Sequence, residues 1–126
     1  PVRHILLVDE NELNREIACC LLDDAGYEVD TAENGEVALG MIEAADARAY
    51  DLVLMDIQLP VMDGYAATRA IRALPDPVRA SLAIIAVSAN AFSEDRKRSL
   101  ESGMDAHLPK PLDVHRLQSL IEKVVH

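Results

Sequence analysis

Three short runs in which every residue is apolar do most to limit what this chain can become. Ile5-Leu6-Leu7-Val8, Leu52-Val53-Leu54-Met55 and Leu82-Ala83-Ile84-Ile85-Ala86-Val87 show no alternation of apolar and polar side chains. A strand with one face in water would alternate, so these segments read as strands buried on both faces. None approaches the roughly 18 apolar residues that a membrane-spanning helix needs. Strands of this kind occur in parallel sheets covered by helices on both sides.

The intervening segments supply the helices. Leu13, Ile17, Leu21 and Ala25 recur every four residues, a stripe read mainly as core, with Ile17 inward and Leu13 either core or a docking position. Gly26 and Tyr27 close that helix in a Schellman-type turn. Glu28-Val29-Asp30-Thr31-Ala32 is a weaker second strand, and Asn34 caps a helix with Val37, Ala38, Met41, Ile42 and Ala45 inward. Asp63 caps a third helix with Ala67, Ile71 and Leu74 inward; Pro75 stops it and Pro77 stiffens the loop that follows. A fourth helix from Phe92 to Ser102 closes at Gly103-Met104 as the first one does. Ala106-His107-Leu108 is a short fifth strand, and Val114, Leu117, Leu120, Ile121 and Val124 mark a fifth, amphipathic helix. Strand and helix thus alternate five times with no linker or repeat. The expected fold is one α/β domain over residues 1–126: a flavodoxin-like (βα)5 three-layer sandwich on a parallel five-stranded sheet of order 2-1-3-4-5. In such sheets ligands bind outside the carboxyl ends of the strands, at the switch between strands 1 and 3.

Composition narrows the function. Half the residues are apolar, which argues against disorder. Twelve basic residues stand against 22 acidic ones, a net charge of −10, so the domain does not bind a phosphate backbone directly. The first residues lack a signal-peptide layout and an initiator Met, and the chain is read as a fragment of a longer protein. Cys19 and Cys20 are adjacent, neither a CxxC pair nor a disulfide framework, and read as small helix residues in a reducing compartment. His4, His115 and His126 are scattered and read as surface groups, and Arg96-Lys97-Arg98 reads as a solvated helix face.

The carboxyl ends of the expected strands carry the chemistry. Strand 1 runs into Asp9-Glu10, strand 3 into Asp56 and strand 4 into Ser88, and strand 5 is followed by Lys110-Pro111. Singly, each is an ordinary solvated loop residue. Together they would place three carboxylates in one crevice, where each pair at 4 Å costs about 4 kcal/mol at an effective dielectric of 20. A cation must belong to such a design, and oxygen-only ligands suit Mg²⁺ or Mn²⁺. Carboxylate, divalent metal, ammonium and hydroxyl together make a phosphoryl-transfer site.

At these residues the chain resembles the receiver domain of two-component response regulators. Asp9-Glu10, Asp56 in Val53-Leu54-Met55-Asp56, Leu59-Pro60-Val61-Met62-Asp63-Gly64, Ser88-Ala89 and Lys110-Pro111 fall in that family's order and spacing. Asn11 with Asn14-Arg15, the run Ser88-Ala89-Asn90-Ala91 and Gly103-Met104-Asp105 are most similar to receivers of hybrid sensor histidine kinases. The resemblance implies that Asp56 accepts a phosphoryl group from a phosphohistidine on a histidine kinase or histidine phosphotransfer domain. It implies Mg²⁺ held by Glu10, Asp56 and the backbone carbonyl of Gln58, with Asp9 acting through metal-bound water. Lys110 would pair with Asp56 and then with the phosphoryl group, Pro111 would follow a cis bond, and Ser88 would bond a phosphoryl oxygen and draw its loop inward. The readout face, also a homodimer face, would be the fourth helix, fifth strand and fifth helix. His107 stands at the switch position there, where the family usually has an aromatic residue, and reads either as a pH-sensitive switch or as a half-buried strand histidine. Glu10 stands where that family more often has Asp, and the resemblance implies that Gln58 and Asn90 occupy positions that tune hydrolysis of the acyl phosphate.

Two other function classes fit less well. An aspartate-nucleophile phosphatase of the haloacid-dehalogenase type needs a second Asp two residues after the nucleophile, where this chain has Gln58, and a cap domain for which it is too short. A degenerate receiver that works only by protein binding would not need an intact Asp56, Lys110 and acidic pair. The expected location is cytoplasmic, with no membrane contact by this domain, whether the whole protein is free or tethered to a membrane-bound sensor.

Overall fold

In a computed structural model, which describes residues 2–89 and 93–125, the three apolar runs occupy the middle of a sheet. The strands are β1 (His4–Val8), β2 (Glu28–Ala32), β3 (Leu52–Asp56), β4 (Ala83–Ser88) and β5 (Ala106–Pro109). All four pairings are parallel and the order is β2-β1-β3-β4-β5. Every residue of β3 is buried, as its uninterrupted apolar run requires, whereas the edge strand β2 keeps mixed exposure.

Among the described residues six helices follow from local signals: α1 (Glu12–Asp24), α2 (Gly35–Ala44), α3 (Gly64–Arg72), α4 (Pro77–Ala80), α5 (Ser93–Ser102) and α6 (Val114–Val124). Asn34 and Asp63 cap α2 and α3 through the N–H groups of Val37 and Ala66. Asn11 caps α1 in the same way through Asn14. Gly26 and Gly103 sit at φ 95° and 106°. Around them the bonds Tyr27 N–H to Leu22 O and Met104 N–H to Ser99 O complete the two Schellman turns. One turn of helix was not expected: Pro77 begins α4 rather than stiffening a loop, because its fixed φ suits a first helical position and Asp76 caps the turn through Val78. The helices expected as fourth and fifth are therefore α5 and α6. Asn90, Ala91, Phe92 and His126 lie outside the described residues.

One face of the sheet packs Leu6, Val8, Val53, Met55, Ile84 and Ala86 against Ala38 and Ile42 of α2 and Ala67 and Ile71 of α3. The other packs Ile5, Leu7, Leu54, Ile85 and Leu108 against Leu22 of α1 and Leu117 of α6. This is the three-layer flavodoxin-like sandwich, and no described helix is long and apolar enough to cross a membrane.

Three side-chain expectations are corrected. Ile17, expected inward, is 52% exposed, and its neighbours Leu13 and Leu21 are 62% and 38% exposed. The sheet covers the adjoining line of α1 through Leu22, Ala18 and Cys19. Val37, expected inward, is also exposed; it lies in the first turn of α2, one residue from the buried Ala38. His4 is not a free surface group: its Nε2 is 3.1 Å from Asp30 Oδ2, and its ring packs against that of Tyr50 with centres 4.9 Å apart and planes tilted by 57°. Tyr50 donates its hydroxyl to the same Asp30 oxygen at 2.9 Å. Burial, that hydrogen bond and the nearby charge push its phenol up to about 12.

Candidate functional site

The central strand delivers Asp56 to the carboxyl edge of the sheet. Only 6% exposed, it accepts the Lys110 ammonium at Oδ2, 2.7 Å away, and the Gln58 N–H at Oδ1, 3.0 Å away. Behind it α3 opens with Gly64, where a Cβ would collide with the Asp56 carbonyl oxygen. The close approach of α3 to the strand end therefore depends on glycine.

Asp9 follows β1 and is also buried. Its Oδ2 lies 3.4 Å from the Lys110 ammonium, and its Oδ1 accepts the Asn11 N–H at 2.9 Å. The Arg15 guanidinium donates to the Asp9 carbonyl at 2.7 Å. Lys110 follows β5, its N–H donates to the Ser88 carbonyl at 2.9 Å, and the bond to Pro111 is cis. Ser88 closes β4 and is buried.

Asp9, Asp56 and Lys110 therefore meet directly, and Ser88 stands one strand away. Glu10 behaves differently: it is exposed and lines a neighbouring hollow with Gln58. No three His, Cys, Asp or Glu among the described residues form a metal-holding cluster. The donor set nonetheless fits Mg²⁺, which is commonly held by one or two carboxylates and completes its shell with water. Two buried carboxylates close enough to share one ammonium meet that need. His107 lies half-buried in β5, beside a hollow lined by Leu100, Arg116 and Leu120.

Electrostatics sets the site's poise. Burial pushes the Asp56 carboxyl above the usual carboxylate range, with Asp9 adding to the push and Lys110 and the Gln58 N–H opposing it. Burial also works against the Lys110 charge, but Asp56 and Asp9 outweigh it and hold its pKa above the ordinary lysine value. The ammonium stays charged, and the carboxylate facing it is poorly solvated.

The roles of four residues near the site were not read from the sequence, although Asn11 and Arg15 were singled out there. Asn11 and Arg15 fix the turn that aims Asp9, and a capping residue three before Asn14 was the readable signal. Val61 holds φ 66° in the loop after β3, bracketed by a Met62 N–H to Pro60 carbonyl bond of 2.7 Å; no sequence signal marks a β-branched residue for that conformation. Arg98 is exposed, as its solvated reading expected, but it also places its guanidinium 4.4 Å from the ring centre of the buried Tyr65.

A flavodoxin-like sheet with an acid pair, a lysine and a hydroxyl at its carboxyl edge defines the class that the comparisons find. Residues 5–122 match the response regulator receiver domain family, and the chain belongs to that family. Sensor protein GacS of Pseudomonas syringae pv. syringae is 41% identical over 120 residues, covering 94% of this chain and 13% of its own length. The receiver domain of sensor histidine kinase PA1611 from Pseudomonas aeruginosa, solved with a magnesium ion coordinated in its active-site cleft, is 37% identical. It superposes with a TM-score of 0.84 over 98% of both chains. The receiver of the Saccharomyces cerevisiae response regulator Ssk1, crystallised with the histidine phosphotransfer protein Ypd1, is 27% identical with a TM-score of 0.85, over 98% of this chain and 89% of that one. The chain is thus a receiver domain of two-component signal transduction, and it spans a small part of the length of the hybrid kinase relatives it matches.

Proposed function

We propose that this domain accepts a phosphoryl group on Asp56 from a phosphohistidine, within a longer hybrid histidine kinase of the cytoplasm. The observation that carries the reading is the holding of both Asp56 oxygens in a buried place, one by the Lys110 ammonium and the other by a backbone N–H. An oxygen of Asp56 bonds to phosphorus as the P–N bond breaks. The imidazole nitrogen keeps the electron pair and takes up a proton. Lys110 then follows the charge from the carboxylate to the phosphoryl oxygens, and the Ser88 hydroxyl donates to one of them. Catalysis of this kind works by positioning and charge neutralisation.

Glu10, Asp56 and the Gln58 carbonyl would hold Mg²⁺, with Asp9 acting through metal-bound water. When bound, the metal offsets phosphoryl and carboxylate charge. The exposed stripe of Leu13, Ile17 and Leu21 supports docking of the phosphodonor along α1. It borders a hollow of about 380 Å³ that also contains Asp56, Lys110, Pro111 and Leu112. The α5–β5–α6 face, where Leu100 is exposed beside His107, is the proposed readout and self-association surface.

Incubation with acetyl phosphate and Mg²⁺ should add a single base-labile phosphoryl group, detected by mass, and Asp56→Asn should abolish it. No increment in the parent, or one that survives in the variant, overturns the assignment.

A further inference from the structure

A second hollow adjoins the phosphoacceptor's loop, on the flank away from α1. It has a volume of about 470 Å³ and opens between the loop after β3 and α5, lined by Glu10, Gln58, Pro60, Asp63, Tyr65 and Arg98 among others. It shares no lining residue with the apolar hollow beside α1. Asp56 is not part of its lining, but Gln58, which is, donates its N–H to Asp56. Its lining is polar and includes one basic residue, Arg98.

That arginine is pre-placed. Its guanidinium lies over the face of Tyr65, 4.4 Å from the ring centre, and it makes no ion pair among the described residues. Tyr65 is 4% exposed, and its buried hydroxyl has no hydrogen-bond partner among the described residues. The structure therefore uses this side chain for its face, which holds a cation at little further entropic cost. The acids facing the hollow are Glu10 and Asp63. Asp63 is engaged in capping α3, and Glu10 is assigned above to the metal. Lys110 is already shared between Asp56 and Asp9. A phosphate dianion approaching a domain of net charge −10 meets an uncommitted cation here.

We propose that Arg98, seated on Tyr65, receives the phosphate dianion of small acyl phosphates at the mouth of this hollow and guides it to Asp56, leaving the α1 flank to protein phosphodonors. The inference rests on the receiver reading of Asp56. Transfer forms the bond from Asp56 oxygen to phosphorus and breaks the phosphorus–oxygen bond of acetyl phosphate, with acetate leaving as the anion.

The test is phosphorylation of the whole domain by acetyl phosphate in saturating Mg²⁺, followed by mass and resolved into KM and limiting rate. Arg98→Gln keeps the stem over the ring but loses the charge; it should raise KM about fivefold or more and leave the limiting rate and the melting temperature unchanged. Arg98→Lys should recover most of the loss, and Tyr65→Phe, which keeps the aromatic face, should match the parent. Calorimetric titration with Mg²⁺ should show equal or tighter binding in Arg98→Gln, because a nearby positive charge has gone. An unchanged KM in Arg98→Gln, or a loss confined to the limiting rate or shared equally by Arg98→Lys, overturns the proposal. A parent that takes up no phosphoryl group overturns the phosphoacceptor role proposed for Asp56, and this inference with it.

Discussion

Asp9 and Asp56 share a single ammonium, so one negative charge at the site goes unmatched in a place with little water. The raised Asp56 pKa gives the sign of the consequence. A group whose folded pKa lies above its unfolded value contributes stability that is complete in acid and is lost as pH rises through the raised value. At neutral pH and without metal, the ionised pair costs stability. Asp9→Asn removes one charge, keeps an oxygen to accept the Asn11 N–H, and leaves Lys110 with Asp56. Its melting temperature in EDTA at neutral pH should exceed the parent's by about 2–5 °C, and the gain should fade as pH falls into the carboxylate range. A variant melting no higher than the parent would show that the two acids do not repel appreciably. The same pair marks a limit of reading at this scale. Polar residues directly after apolar runs were visible, which is why Asp9, Asp56, Ser88 and Lys110 were found. That Glu10 stays outside was not visible, because successive residues leaving a strand point to opposite sides and adjacency alone does not say which turns in.

At the scale of elements, apolar periodicity predicted strands and helices well and their facing less well. A repeat of four residues in a helix drifts about 40° per step around the axis, so the Leu13–Ile17–Leu21 line slides off the face that the sheet covers. The pattern established that the stripe was apolar; what lies against it is a property of the neighbouring layer. Caps and Schellman turns were legible because each depends on one residue type at one position. The loop after β3 was not, since Val61 adopts its conformation against its own preference. That conformation is imposed from both sides. Pro60 and Met62 close a γ-turn around Val61, and the Met62 carbonyl accepts the Gly35 N–H, at a position where a Cβ would come within 2.5 Å of that oxygen. A β-branched residue in the left-handed region costs about 1–3 kcal/mol, more than glycine's extra unfolded-state entropy of about 0.5–1 kcal/mol. Val61→Gly should therefore stabilise the domain by about 1 kcal/mol, read as a higher urea midpoint at unchanged slope. A lower midpoint would mean that the exposed valine side chain contributes more than its backbone strain costs.

Across the whole molecule, chemistry and anchoring occupy opposite edges of one sheet. The carboxyl edge carries the acids and Lys110; the amino edge is tied together by arginines. Arg72 in the last turn of α3 donates to the carbonyls of Gly103, Ala80 and Leu82, at 2.8, 2.8 and 2.6 Å, and to Asp105 Oδ2 at 3.0 Å. Asp105 in turn accepts the N–H of Ile84, the second residue of β4. One side chain thereby joins α3, α4 and the entries to β4 and β5. Arg79 does the same for the end of α2, through the carbonyls of Ile42 and Ala45. Neither role could be read from the sequence, where a basic residue in the last turn of an amphipathic helix looks solvated and favourable to the helix dipole. The strand order had a readable basis in five alternating units, but the clamps that hold it come from residues far apart in the chain. Separation of the two edges has a measurable consequence. Arg72→Leu takes one donor from each of three backbone carbonyls and from the Asp105 carboxylate, so it should lower unfolding stability by about 2–4 kcal/mol. Yet at a temperature where the variant is fully folded, its initial rate of phosphorylation by acetyl phosphate should equal the parent's. A denaturant titration checks the first part and the mass-resolved time course the second. Loss of rate in a folded variant would mean that the amino edge sets the position of Asp56, and that anchoring and chemistry are coupled through β3 and β4 instead of being divided between the two ends of the sheet.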